Sequence, residues 1–183
     1  MKPVVLILAA GKGERFRFAG GQTDKLNAVL HTPSGRQTVL DCVMAAARAS
    51  GLPWHVVRPE HTAHRPEQGM GTSIATGVAA TPDASGWLVL PGDLPLVQPD
   101  SIRAVALALE RHDVVAPVVD GERGHPVGFG RCCQAGLLAL RGDMGAKRLL
   151  AQHAVHLLPL NDVGCTLDVD TPERLAQAQV LWC

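Results

Sequence analysis

The chain has 183 residues, 46% of them hydrophobic and 19% charged, with a formal net charge of +0. That length suits one domain with a sizeable core, and the balance of apolar to charged residues excludes a disordered chain, a nucleic-acid coat and a polybasic membrane binder. Aromatic residues make up 3% and tyrosine is absent, which also excludes a base-stacking platform for single-stranded nucleic acid.

In chain order, residues 3–10 form the longest apolar run near the start. It is well short of the roughly 20 residues that span a bilayer. Only Lys2 stands before it and no secretory cleavage pattern follows, so neither a membrane span nor a targeting segment is expected. Residues 4–10 (VVLILAA) end at Gly11 and read as a first, central strand buried on both faces, as in a parallel sheet. Residues 38–50 carry Val39, Leu40, Val43, Met44 and Ala47 on one stripe. Thr38 and Asp41 form a capping-box pair and Gly51 is the stop, so a helix is expected there. Strands are expected at residues 54–58, 87–90, 114–118 and 155–158, each rich in Val or Leu. A second helix is expected over 101–112, after Pro99 and Asp100, and a third over 172–182, with Thr171 as cap and Pro172 at its first position. Residues 59–71 and 120–131 read as loops. Strands alternating with helices imply right-handed crossovers and a doubly wound, mostly parallel sheet in a three-layer α/β/α sandwich, with residues 1–183 forming a single domain. Ligands in such sheets bind beyond the carboxyl ends of the strands.

Five cysteines, Cys42, Cys132, Cys133, Cys165 and Cys183, are odd in number and contain no C-x-x-C pair. Neither a disulfide framework nor a zinc ribbon is expected, and a reducing cytoplasm is the simplest setting. His61 and His64 have metal-like spacing but no third ligand cluster nearby in the sequence, so they read as surface.

Chemistry-bearing residues follow the strands. The run Leu8-Ala9-Ala10-Gly11-Lys12-Gly13-Glu14-Arg15 is a glycine-rich strand-to-helix turn with cationic decoration from Lys12, Arg15, Arg17 and Lys25. Its N–H groups and the following helix start suit a phosphate. It matches neither G-x-G-x-x-G nor G-x-x-x-x-G-K-[ST], which disfavours a nicotinamide or flavin oxidoreductase and a P-loop enzyme. Pro91-Gly92-Asp93-Leu94-Pro95 holds a carboxylate rigidly at a strand end, where it is either a turn residue or a ligand for Mg2+. In Leu167-Asp168-Val169-Asp170-Thr171-Pro172-Glu173, an extended backbone sends Asp168 and Asp170 to one side, where they can share a cation. Gly69-Met70-Gly71-Thr72-Ser73 offers small residues and hydroxyls at a helix start, suited to a base or ribose or to a plain cap. Gly124-His125-Pro126-Val127 and Gly142-Asp143-Met144-Gly145-Ala146-Lys147-Arg148 are further turns with polar tips.

Taken together and in this order, these motifs resemble the MobA-like nucleotidyltransferases, and among them the molybdopterin cytidylyltransferases that mature molybdenum hydroxylases. The resemblance spans residues 8 to 173. It implies a Rossmann-like nucleotidyltransferase fold and transfer of CMP from CTP to molybdopterin with release of pyrophosphate and dependence on Mg2+. It also implies Arg15, Lys25 and Asp93 as the catalytic residues. Nucleotide contacts would fall to Leu8, Ala9, Ala10, Gly11, Gly13, Gly71, Ser73 and Gly92, substrate contacts to His125, Asp143 and Lys147, and metal ligation to Asp93 with Asp168, Asp170 or both. A molybdenum hydroxylase or its maturation chaperone is the implied partner. Ala10 favours CTP over GTP. The chain departs from the family in two places: the stretch from Arg15 to Lys25 is longer than in R-[MF]-G-x-x-K, and Lys147 stands where the family has arginine in G-D-x-G-A-R. Guanylyl transfer, a sugar-phosphate nucleotidyltransferase and a non-catalytic nucleotide-binding regulator are the alternatives.

Overall fold

The computed structural model describes residues 1–11, 14–21 and 24–182, with the main chain alone for Glu14 and Arg15. In chain order the elements are β1 (Val4–Leu8), α1 (Glu14–Phe18), β2 (Val29–Thr32), β3 (Gly35–Thr38), α2 (Val39–Ala49), β4 (Trp54–Val57), α3 (Pro59–Thr62), α4 (Met70–Ala80), β5 (Gly86–Pro91), α5 (Pro99–Ala108), β6 (Val114–Val119), β7 (Glu122–Arg123), β8 (Val127–Gly130), α6 (Gln134–Leu138), α7 (Lys147–Gln152), β9 (Val155–Pro159) and α8 (Pro172–Leu181). Short 3-10 turns cover Lys25–Asn27, Arg131–Cys133 and Val163–Cys165. No helix among the described residues is long and apolar enough to cross a membrane.

β1 lies between β4 and β5 and is parallel to both. β8 runs antiparallel between β5 and β6, and β9 pairs parallel with β6. Five strands therefore point the same way, and the sheet is mostly parallel. It has helices on both faces because its strands alternate. Val5, Ile7, Leu88, Leu90 and Val115 pack with α2 and α5, whereas Leu6, Trp87, Val89, Val114 and Ala116 pack with α4, α6 and α7. This is the expected three-layer sandwich. A strand buried on both faces has no polar alternation, which is why β1, β5 and β6 read as plain apolar runs, while β4 and β9 are only partly buried.

Thr38 and Asp41 form the expected reciprocal capping box on α2, and Thr171 caps α8 by accepting from Arg174 N. Several boundaries differ from expectation. β1 ends at Leu8 rather than residue 10 and is the second strand from an edge rather than central. α5 begins at Pro99 and ends at Ala108. Residues 59–71 contain α3 and the start of α4. Residues 120–131 are not a loop, because they supply β7 and β8. Two glycines in Val127-Gly128-Phe129-Gly130 hide this strand, and Gly128 is needed because a Cβ there would lie 2.9 Å from Val105 Cγ1 on α5.

Candidate active site

The chain leaves β1 for β4 on one side and later returns to β5 on the other. The carboxyl ends of β1 and β5 thus border a topological switch point, where a crevice opens in sheets of this kind. Leu8 ends β1, and Ala9, Ala10 and Gly11 follow it into the crevice, with Ala9 N donating to Val57 O at 2.8 Å. Gly92 follows β5. Its N–H donates to Leu8 O at 2.9 Å, and a Cβ at this position would stand 2.9 Å from the same oxygen. Only glycine lets the two strand ends approach this closely, and Asp93 is held at the junction as a result.

Three chain segments converge on Asp93. Lys25 arrives on a 3-10 turn capped by Asp24, whose Oδ1 accepts from Leu26 N at 3.0 Å. The Lys25 ammonium donates to Asp93 Oδ2 and to Asp170 Oδ1, each at 2.5 Å. The extended segment before α8 is tied down by Val169 N donating to Asp93 O at 2.8 Å. Leu167 and Val169 turn into the core while Asp168 and Asp170 stay partly open, so the two acidic residues share a side as alternation requires.

The third segment brings His125 near enough for Asp93 to act on its ring, although its hydrogen bonds go elsewhere. Its N–H donates to Cys165 O at 2.8 Å, and ring Nδ1 lies 3.4 Å from Val89 O.

The electrostatics agree with this convergence. Burial pulls the Lys25 ammonium down, but Asp93 and Asp170 outweigh it and leave its pKa above the ordinary value. Asp168 is pushed up, first by burial and then by Asp170 and Asp93. Burial lowers the pKa of His125 against the opposing pull of Val89 O, Asp93 and Asp168, which favours a neutral ring.

Asp93 Oδ1 is buried and has no hydrogen-bond partner. Among the described residues no three His, Cys, Asp or Glu side chains form a ready metal cage. That donor set fits Mg2+, which is typically held by one or two carboxylates together with substrate phosphates.

Other candidates lie apart from this cluster. Gly71 and Ser73 sit in the first turns of α4, where Gly71 N donates to Gly142 O at 2.8 Å and Ser73 Oγ donates to Gly69 O at 3.0 Å. The loop carrying Asp143 therefore caps α4 with its main chain, while the side chains of Asp143 and Lys147 are exposed. Gly13 and the Arg15 side chain lie outside the described residues.

Sequence reasoning missed Asp162. It is 9% exposed and accepts from Gln98 N at 2.9 Å and Ser101 Oγ at 2.6 Å through Oδ2, and from Gly164 N at 2.9 Å through Oδ1. It thereby caps α5 and braces the turn beneath His125. No local motif marks a cap supplied from so far along the chain.

Residues 5–157 match the MobA-like NTP transferase domain. The chain belongs to this family. It is accordingly a nucleotidyltransferase by family. The purine catabolism protein PucB of Bacillus subtilis is 30% identical over 190 residues, covering 92% of this chain and 92% of PucB. The bifunctional protein GlmU of Desulfitobacterium hafniense is 29% identical over 154 residues, 74% of this chain, which spans only 32% of GlmU. Among solved structures, the manganese complex of Rv0371c from Mycobacterium tuberculosis superimposes with a TM-score of 0.72 at 23% identity, covering 98% of this chain and 99% of the other, and so shares the fold.

Proposed function

We propose that the protein transfers CMP from CTP to the phosphate of molybdopterin and releases pyrophosphate, with Mg2+ as cofactor. The observation that carries this reading is the Lys25 ammonium held between Asp93 and Asp170 at the carboxyl ends of the strands. It gives the crevice both a cation for phosphates and carboxylates for a metal. The match to PucB over nearly its full length, with its role in purine catabolism, favours maturation of a molybdenum hydroxylase over the other branches of the family.

An oxygen of the molybdopterin phosphate attacks the α-phosphorus of CTP in line. The new P–O bond forms as the bond to the bridging oxygen breaks, and pyrophosphate leaves with the electron pair. The nucleophile is already ionised at neutral pH, so no general base is needed and catalysis is mainly positioning and charge neutralisation. Lys25 and Arg15 neutralise the departing β and γ phosphates, and the main chain of Ala9 to Gly11 lies along them. Asp93, with Asp168 or Asp170, would hold Mg2+, which supplies positive charge to the phosphate oxygens when bound. Neutral His125 orients the acceptor without adding charge. Gly71, Ser73 and Gly92 border the nucleoside, and Asp143, in the loop over α4, and Lys147, at the start of α7, reach the acceptor.

The test is thermal stabilisation by CTP, GTP, ATP and UTP with Mg2+, followed by pyrophosphate release with molybdopterin. A ligand bound only by the folded state raises stability by RT ln(1 + [L]/Kd). Stabilisation by CTP and CTP-dependent pyrophosphate release are expected. A response to GTP alone moves the protein to guanylyl transfer, and stabilisation without turnover makes it a binding protein.

A further inference from the structure

Lys25 serves two carboxylates at once. Its side chain is 16% exposed, against 13% for Asp93 and 26% for Asp170, so the triad is largely shielded from water. Asp168 stands near the same two carboxylates, whose charges together with burial push its pKa up. A buried Asp93 oxygen remains unpartnered. Lys25 thus occupies one oxygen each of Asp93 and Asp170, two carboxylates that a divalent cation would use here.

We infer that Lys25 is a built-in counter-ion for Asp93 and Asp170 that a divalent cation must displace, so that Lys25 weakens binding of free metal and couples metal binding to nucleotide binding. This rests on the metal and nucleotide reading above. The ammonium sits on a flexible four-carbon stem, whereas its backbone is pinned by the Asp24 cap, so the charge can move while the turn stays. Displaced from its carboxylates by metal alone, Lys25 is left in a shielded site without an anion, which is costly. A triphosphate arriving with the metal supplies that anion. Metal and nucleotide therefore strengthen each other's binding, and the coupling is reciprocal. With neither present, the lysine keeps the acidic cluster assembled and neutralised.

The experiment measures Mn2+ affinity by electron paramagnetic resonance, with and without CTP, for the wild type, Lys25→Met and Arg174→Gln. Arg174 also acts on Asp168 but makes no ion pair with Asp93 or Asp170 in the structure, so it reports the general field. Without nucleotide, Lys25→Met should bind Mn2+ at least tenfold more tightly than the wild type, and Arg174→Gln less than threefold more tightly. CTP should raise Mn2+ affinity in the wild type and much less in Lys25→Met. Circular dichroism checks folding, and Lys25→Gln replaces any Lys25→Met protein that fails to fold. Unchanged or weaker Mn2+ binding in the lysine variant overturns the inference while leaving the metal assignment intact, as does an equal gain in Arg174→Gln. Absence of Mn2+ binding in every protein overturns both. A tenfold gain with no CTP effect in any protein keeps the counter-ion role and overturns the coupling along with the choice of CTP.

Discussion

Asp162→Ala should destabilise the protein and disorganise the candidate site together, because one buried carboxylate holds two of its walls. The carboxylate accepts from Gln98 N, Ser101 Oγ and Gly164 N at 2.9, 2.6 and 2.9 Å, and Cys165 Sγ lies 3.5 Å from Oδ2. Ser101 and Cys165 are 6% and 0% exposed, so water does not readily replace it. Hydrogen bonds to a charged group contribute about 1.5–3 kcal/mol each and are not additive, which gives a loss of about 3–5 kcal/mol for the set. A domain of this size loses about 2–4 °C in Tm per kcal/mol, so the midpoint should fall by about 10 °C. Asp162→Asn keeps one oxygen and turns the other into a donor facing donors, at a cost of about 1–3 kcal/mol. The same network fixes the turn whose Cys165 carbonyl receives His125 N. Asp162→Asn should accordingly lose kcat for pyrophosphate release beyond what its lowered Tm explains, at temperatures where it is fully folded. Differential scanning fluorimetry and a coupled pyrophosphate assay read both effects. An Asp162→Ala midpoint within about 2 °C of the wild type, under 1 kcal/mol on the same scale, would refute the reasoning.

Gly71→Ala tests the loop over α4: its Cβ would fall 2.4 Å from Met144 O and 2.9 Å from Arg141 O. Overpacking of this kind costs about 1–3 kcal/mol, so a lower midpoint and faster tryptic cleavage between Arg141 and Arg148 are expected, and an unchanged digest would count against the docking of this loop. His125 tests the burial of its ring. With a folded pKa below the ordinary 6.5, the unfolded chain binds more protons in that window, so the stability linked to His125 is complete above pH 6.5 and is lost as pH falls toward the folded value. The wild-type midpoint should drop more between pH 7.5 and 5.5 than that of His125→Gln, and an equal drop in both assigns the pH response elsewhere.

What the sequence revealed follows from where each element's partners lie. The strands β1, β5 and β6 and the caps of α2 and α8 were legible because a two-face buried run, a Thr38–Asp41 pair and a Thr171–Pro172 pair are local patterns, and β4 and β9 were legible as short runs rich in Val or Leu. β8 was hidden because its glycines answer to close neighbours, Gly128 to α5 and Gly130 to the Asp113 main chain, not to strand propensity. The cap supplied by Asp162 was hidden for a related reason, since its partners, Gln98 and Ser101, are distant in sequence. Asp93 was legible as a strand-end carboxylate in a doubly wound sheet, whereas Lys25, Asp168 and Asp170 lie at no strand end and were grouped with it by the family resemblance. The long stretch between Arg15 and Lys25 does not break that grouping. Phe16 is 2% exposed, and Gly21 N donates back to Phe16 O at 2.9 Å, with no room for a Cβ at Gly21 beside the Phe16 ring. The chain thus doubles back on α1 before Asp24 starts the next turn. Fold-back consumes the extra residues, and Lys25 reaches Asp93 and Asp170 despite them.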